Sequence, residues 1–300
     1  MTRARIALFV LEALPNARAA RRFVADHHTD IAFVGLSNPE RPSAGGLVGQ
    51  VRRHLVRSGP RFLPYLAVNF GLPDILRPVA PLTQRATGTR ATPEATPLRI
   101  LCRRYEIPVL KMNDVNGPEI HAALRAAAPD LIVSFHFDQI IAAETLALTR
   151  LGGLNIHPAL LPRHRGPVPT IHALADGDGA WGVTLHHLAS TIDAGAIVAQ
   201  SAVTLPAGVS ATGAAVRLHE LGRPLLDDAL DTIARTGAVP AGNMAPVLPY
   251  CPFPSRALLR DMSRRRLRLT DAADVADALT LSARGSPPAD GTDGVLPPNP

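Results

Sequence analysis

Three hundred residues are enough for one large α/β domain or two modest ones. A 46% hydrophobic content beside 19% charged residues excludes wholesale disorder and a coiled coil. The net charge of +6 is carried by arginine, with Lys111 the only lysine, so a basic nucleic-acid surface is permitted without being required and lysine chemistry has a single candidate.

Arg5 to Leu11 is apolar and β-like, Asn16 is placed to cap a helix over Ala17 to His28, and Ile31 to Leu36 is a second strand. The chain therefore opens as a βαβ unit. Leu47 to Leu76 has helical spacing, with Leu47, Val51, Leu55, Leu63, Leu66 and Phe70 near one face and a break at Gly59-Pro60. The Pro-, Thr- and Arg-rich stretch Pro78 to Pro97 reads as an exposed loop. Thr96 then caps a helix that starts at Pro97 and runs to about Tyr105. Val109 to Lys111 is a short strand, Asn116 caps a helix with Pro118 in its first turn, and Leu131 to Phe135 is a buried strand. A helix over about Ala142 to Thr149 follows, then strands at Leu154 to His157, Gly182 to His187 and Ala196 to Thr204, and a long helix over Ala211 to Ile233.

This alternation predicts an α/β fold: a mostly parallel, Rossmann-like sheet with helices on both faces. Past Gly237 the periodicity weakens. The basic run Arg264 to Arg268 reads as a solvated helix face, and Ala283 to Pro300 as a disordered tail. The expected division is a main domain over 1–236, with 47–97 as a helical and loop insertion, a short C-terminal extension over 237–282 and the tail over 283–300.

Cys102 and Cys251 make neither a disulfide framework nor a CxxC pair, which fits a reducing compartment. Glu12 interrupts the apolar run Ile6 to Leu11, so it reads as a strand and not as a secretory leader. No uncharged apolar run approaches the ~18 residues of a membrane span. A cytoplasmic protein with no membrane partner is expected. Asp176-Gly177-Asp178-Gly179 begins like a calcium loop but has His187 at the twelfth position, where Glu belongs. Neither HExxH nor GxSxG occurs, and no metal is expected.

The densest chemistry lies between Gly152 and Pro167. Side chains two apart on a strand share a face, so Asn155 and His157 project together while Ile156 faces the opposite layer. Pro158 ends the strand directly after them, and open α/β sheets bind ligands at the carboxyl ends of their strands. A second cluster, Gly182 to His187, is followed by Ile192-Asp193-Ala194-Gly195, a turn that can bring Asp193 against His157. An amide donor, an imidazole and a carboxylate suit acyl transfer: a donor to a developing oxyanion, a proton carrier, and a group that holds the carrier charged. Spacing alone equally fits a satisfied Asn/His pair on a strand end and an Asp in an ordinary turn.

Asn155-Ile156-His157-Pro158-Ala159-Leu160-Leu161-Pro162, then Arg165-Gly166, Gly182-Val183-Thr184-Leu185-His186 and Asp193-Ala194-Gly195-Ala196-Ile197-Val198-Ala199-Gln200 resemble the signature of the folate-dependent formyltransferase family. The resemblance is dense from about Pro129 to Leu226 and thinner over Arg5 to Leu36. It implies catalytic roles for Asn155, His157 and Asp193. It also implies 10-formyltetrahydrofolate as co-substrate, bound by the loop Phe137-Asp138-Gln139-Ile140-Ile141 together with Ile192. The chain departs from the family pattern at Ala159, where Ser is usual, and at His164, where an aromatic is common. The expected activity is formyl transfer to the primary amine of a small molecule, an amino sugar or an amino-acid-derived metabolite. Formyl-folate hydrolysis and a tRNA-directed transfer are the alternatives. The methionyl-tRNA enzymes add a C-terminal β-barrel and the hydrolases an N-terminal regulatory domain; neither is expected here, because 237–300 is short and Pro-rich and the first strand begins at Arg5. Nucleic acid is thus an unexpected partner, and a homodimer is allowed for, with Leu47 to Thr96 as a lid, a dimer surface or an acceptor pocket. Arg163 and Arg165 follow the catalytic strand and suit a phosphate- or carboxylate-bearing acceptor, with His186 beside them.

Overall fold

Each of the first strands is an apolar run that is buried on both faces, the pattern a helix-covered parallel sheet imposes. In the computed structural model, which describes residues 3–40, 45–88 and 92–281, β1 (Ile6–Val10) and β2 (Ile31–Ser37) flank α1 (Leu14–His27). Five more strands follow: β3 (Val109–Met112), β4 (Leu131–Phe135), β5 (Gly153–His157), β6 (Trp181–His187) and β7 (Ile197–Val203). They form one seven-stranded sheet in the order β3-β2-β1-β4-β5-β6-β7. The β3 to β5 side is parallel throughout, whereas β6 runs antiparallel to β5 and β7 antiparallel to β6. The mostly parallel α/β sheet expected from the alternation is what forms, and the expected tail over 283–300 lies outside the described residues.

Strand alternation splits the interior into two cores. Ile6, Leu8 and Val10 of β1, with Leu131, Val133 and Phe135 of β4, face the larger core, while Ala7, Phe9 and Ile132 face the smaller one. The larger core is roofed by α1, α6 (Leu98–Arg104), α9 (Pro169–Asp176) and the long α10 (Ala211–Thr236), which packs along α1. The smaller core is covered by α7 (Pro118–Ala127) and by the short α8 (Ala143–Leu146).

Between β2 and α6 the chain runs through α2 (Gly46–Arg57), a 3-10 turn Pro60–Phe62, α3 (Leu63–Leu66), a π-helical turn Ala67–Gly71, α4 (Leu72–Leu76), a 3-10 turn Arg77–Val79 and α5 (Ala80–Thr87). The exposed loop expected from Pro78 onward is therefore corrected: it is helical to Thr87, and Ala95 and Thr96 beyond it are buried. Proline is the reason. Pro60, Pro64, Pro73, Pro78 and Pro81 each stand in the first turn of a helical piece, where the missing N–H costs nothing, so they restart the helix instead of abolishing it.

Three expected caps are also corrected. Asn16 lies inside α1, where its Oδ1 accepts the Ala13 N–H and its Nδ2 donates to the carbonyls of Leu11 and Phe135, tying the ends of β1 and β4 together. Thr96 does not cap α6; the Leu98 N–H donates to the buried carboxylate of Glu12, which is paired with Arg21 and Arg77. Asn116 sits just before α7 and bonds the loop after β4, donating to the Ile140 carbonyl and accepting from the Ala142 N–H.

After α10 the chain does not leave the domain. Asn243 exchanges two backbone hydrogen bonds with Ile197 at the edge of β7, and the Cys251 N–H donates to the Arg165 carbonyl at 2.7 Å. Residues 238–254 are thereby laid across the loops that follow β5, before α11 (Arg256–Arg264) and α12 (Ala272–Leu279) return, α12 against α4. The basic run Arg264 to Arg268 closes α11 and the turn after it.

Candidate active site

The parallel sheet turns antiparallel at β5, and the carboxyl end of that strand opens into a cavity of about 230 Å³. Asn155, His157 and Asp193 all line it.

Asn155 is oriented from both sides. Ser134, its register partner on β4, donates its hydroxyl to the amide oxygen at 2.7 Å, and the amide nitrogen donates to Nε2 of His186 at 3.0 Å, its partner on β6. His186 Nδ1 lies 2.9 Å from the carbonyl of His187 and so carries the ring proton, leaving Nε2 as acceptor. Burial pushes the His186 imidazole down to about 4, so it stays neutral and keeps that role. One Asn155 amide hydrogen is used by His186. The other is left for the cavity.

His157 is buried and held by its far nitrogen: Nε2 lies 3.2 Å from the carbonyl of His164 and donates to it. Nδ1 faces Oδ2 of Asp193 at 3.6 Å, beyond a hydrogen bond but within an ion pair. Asp193 itself stands in the left-handed region, at φ 47°. Its Oδ2 accepts the Gly166 N–H at 2.9 Å, and its Oδ1 lies 3.7 Å from His186 Nε2. The following glycine is required by contact: a Cβ at Gly195 would come within 1.9 Å of the His187 carbonyl oxygen.

The loop after β4 supplies the opposite flank. Phe137 packs on Phe9 with ring centroids 5.7 Å apart, Ile141 is buried in the smaller core, and Ile140 is exposed at the rim. Gln139 accepts the Val115 N–H and donates to Ser37, whose hydroxyl bonds Asp138. Ile192, with these residues, lines the cavity. His136, at φ 46°, lines it too, and burial pushes its imidazole down to about 4.

The two arginines expected at an acceptor do not reach it. Arg163 points outward to Asp176 and Asp178, the carboxylates that open the calcium-like sequence, at 3.0 and 2.6 Å. Arg165 is buried and donates to the carbonyls of Ile192, Asp193 and Leu248, holding the Asp193 turn from behind. His164 also turns away, with Nε2 2.8 Å from Asp176. The expectation of a cationic acceptor surface is corrected accordingly: after the tight turn that follows Pro158, Arg163 and His164 share Asp176 while Arg165 turns to backbone carbonyls.

Several lining residues have no local sequence signal. Ser134 follows from the β4/β5 register, Tyr65 and Phe70 come from the segment before α4, and Tyr250 and Phe253 from the extension after α10. Among the described residues, no group of three or more His, Cys, Asp or Glu side chains is arranged to hold a metal ion. No described helix is long and apolar enough to cross a membrane.

A family model for formyl transferases matches residues 79–230, just over half of the sequence, and the chain belongs to that family. The methionyl-tRNA formyltransferase of Roseiflexus castenholzii is 36% identical over 155 residues, which are 52% of this chain and 49% of that protein. That of Thermotoga maritima is 28% identical over 209 residues, 70% of this chain and 59% of the relative. The chain thus spans about half the length of the curated relatives it matches. Among solved structures, glycinamide ribonucleotide transformylase 1 from Symbiobacterium toebii aligns with a TM-score of 0.51 at 17% identity, covering 78% of this chain and 88% of that one. An N-formyltransferase from Helicobacter canadensis, solved with folinic acid and dTDP-3-aminofucose, aligns at 0.50 and 13% identity, covering 83% and 71%. These two likenesses are of fold.

Proposed function

We propose that this chain moves the formyl group of 10-formyltetrahydrofolate to the primary amine of a small molecule. The observation that carries the reading is the convergence of the Asn155 amide, Nδ1 of His157 and the Asp193 carboxylate on one cavity at the end of β5. When bound, the folate supplies the formyl carbon and takes back a proton as it leaves. The fit rests on the apolar flank made by Phe137, Ile140, Ile141 and Ile192, against which a flat heteroaromatic ring is buried favourably.

The remaining steps belong to the chain. As the amine adds to the formyl carbon, the carbonyl oxygen gains charge, and the free Asn155 amide hydrogen with Nδ1–H of His157 donates to it. Each such donor is worth about 3 kcal/mol of barrier. Asp193 keeps the His157 cation favourable and accepts the proton the amine loses, directly or through one water. Ser134 and His186 position the amide; without them it could rotate and present its oxygen to the oxyanion. His157→Ala should fold, retain folate binding and lose turnover by 10² or more, measured as tetrahydrofolate release. Near-normal turnover would remove His157 from the mechanism.

A second reading has its own support: the curated relatives named above are methionyl-tRNA formyltransferases, so the accepted amine could be carried on a tRNA. Salt-dependent binding of aminoacylated tRNA, with transfer to it, would favour that reading over the small molecule.

A further inference from the structure

The cavity's two flanks belong to opposite faces of the sheet. Phe137, Ile141 and Leu188 pack with the smaller core, while Tyr65, Val168 and Phe253 pack with the larger one. The folate loop occupies the first flank on the reading given above, so the second faces the acceptor.

That second flank is aromatic to a degree the composition does not supply by accident. The whole chain has only 12 aromatics, Phe 8, Tyr 3 and Trp 1, and five of them line this one cavity. Four of the five are delivered by two segments outside the strands: Tyr65 and Phe70 by the long β2–β3 connection, Tyr250 and Phe253 by the stretch after α10. Phe62 and His54 lie behind them, Phe62 stacked on Tyr65 at 5.1 Å and His54 edge-on to Phe253 at 4.8 Å. Phe70 faces His136 with centroids 6.1 Å apart.

The charge of the lining points the same way. Among the described residues that line the cavity there is no Arg or Lys; the carboxylates are Asp138 and Asp193, the neutral imidazoles are His136 and His186, and the one cation on the reading above is His157, which faces Asp193. A phosphate placed here would meet aromatic faces and two carboxylates, with no guanidinium or ammonium among the lining residues and with His157 already facing Asp193, a costly arrangement. An ammonium is attracted both by the carboxylates and by the ring faces.

We infer that the acceptor is a primary amine that binds as its ammonium, gives one proton through water to solvent before its nitrogen attacks and a second to Asp193 afterwards, has an aromatic or aliphatic body and no phosphate, and that Phe70 and Tyr250 select it. This inference rests on the formyl-transfer reading for its chemistry, although the binding preference does not need turnover.

The test compares two classes of amine on the full chain: phenethylamine and hexylamine against glucosamine 6-phosphate and a nucleotide-linked amino sugar. Binding is read by calorimetry without folate, and formyl transfer by product mass with 10-formyltetrahydrofolate. The expected result is kcat/KM at least about tenfold higher for the apolar amines, with the same order in binding. Phe70→Ala should raise their KM about tenfold while leaving the thermal shift given by folate alone unchanged, and Phe70→Tyr should restore the KM. Equal use of both classes, or preference for the phosphorylated one, overturns the inference and leaves formyl transfer standing. Preferential binding of apolar amines with no formyl transfer to any amine overturns the transferase reading and leaves the inferred selectivity standing.

Discussion

The two flanks of the cavity are built on different principles. On the side proposed to be catalytic, each group sits at the end of a strand or in a turn fixed to it, and each polar atom is aimed by a specific hydrogen bond: Ser134 on Asn155, the His164 carbonyl on His157, Gly166 on Asp193. On the aromatic side, position comes from packing of separate segments, Leu63–Leu66 with the turn after it and the extended stretch 238–254. Hydrogen bonds fix direction to within a few tens of degrees, which proton transfer and oxyanion stabilisation require. Dispersion and burial are non-directional and tolerate substitution of one apolar group by another. The catalytic flank should therefore fail abruptly when altered, and the aromatic flank gradually.

The largest effect expected on the catalytic flank, beside that of His157, is at Asn155. Asn155→Ala removes the proposed donor to the oxyanion and leaves the Ser134 hydroxyl and His186 Nε2 without their partner, so turnover should drop by roughly 10²–10³ with little change in folate binding. Stopped-flow release of tetrahydrofolate measures it. A drop below about fivefold would mean that the amide is not aimed at the reacting carbonyl.

Next in size is the buried arginine behind the Asp193 turn. Arg165→Ala leaves the carbonyls of Ile192, Asp193 and Leu248 without that donor, at roughly 1–3 kcal/mol for each that stays dry. A loss of about 3 kcal/mol lowers the melting temperature by on the order of 10 °C, and turnover should fall at least about tenfold as Asp193 loosens. The neighbouring Arg163→Ala is the control: its guanidinium pairs with carboxylates at the surface, so turnover should stay within about twofold. If Arg163→Ala instead abolished use of an amine and Arg165→Ala did not, the arginines would have to be reassigned between acceptor and scaffold.

The same contrast explains what was legible in the sequence. Asn155-x-His157-Pro158 carries its geometry locally: alternation on a strand places both side chains on one face, and Pro158 marks the strand end. The strands themselves were readable because a sheet buried on both faces writes continuous apolar runs, and β4 is Leu131–Phe135 as expected. The aromatic flank is not local. Tyr65 and Phe253 are nearly two hundred positions apart and meet only after the chain has passed through the whole sheet, so neither carries a motif. Arg163 and Arg165 misled for a related reason: an Arg-x-Arg beside a catalytic strand has the chemistry of an anion site, but which way each side chain turns depends on the Asp176 and Leu248 segments that pack there. Proline density misled once more at 78–97, where its position in the first turn of each helix mattered more than its number.

The smallest effect concerns three buried histidines, two of which line the cavity. His136, His186 and His219 are held neutral by burial, with imidazoles pushed down to about 4, 4 and 3. Unfolded histidine titrates near 6.5, so the unfolded chain takes up protons below that pH which the folded one refuses. Stability is therefore full above about 6.5 and is lost as the pH falls toward 4. Three such groups give a steepest slope of roughly 4 kcal/mol per pH unit. Asp274 works against them: burial raises its carboxyl to about 6, so between 6 and the ordinary carboxylate range the folded state binds the extra proton, offsetting about 1.4 kcal/mol per unit. His219 is the group to vary, because it lies outside the proposed catalytic set, its Nδ1 bonds the Ala215 carbonyl in its own helix, and its Nε2 has no hydrogen-bond partner among the described residues. His219→Leu keeps the volume roughly constant, removes that orphan nitrogen and deletes one titrating group. Its melting temperature at pH 8 should match or slightly exceed that of the parent, and its loss of stability between pH 6.5 and 5, net of the Asp274 offset, should be shallower by about half. An unchanged acid slope, measured by thermal melts across that range, would show that His219 is already protonated in the folded chain and that its ring nitrogen has found a partner.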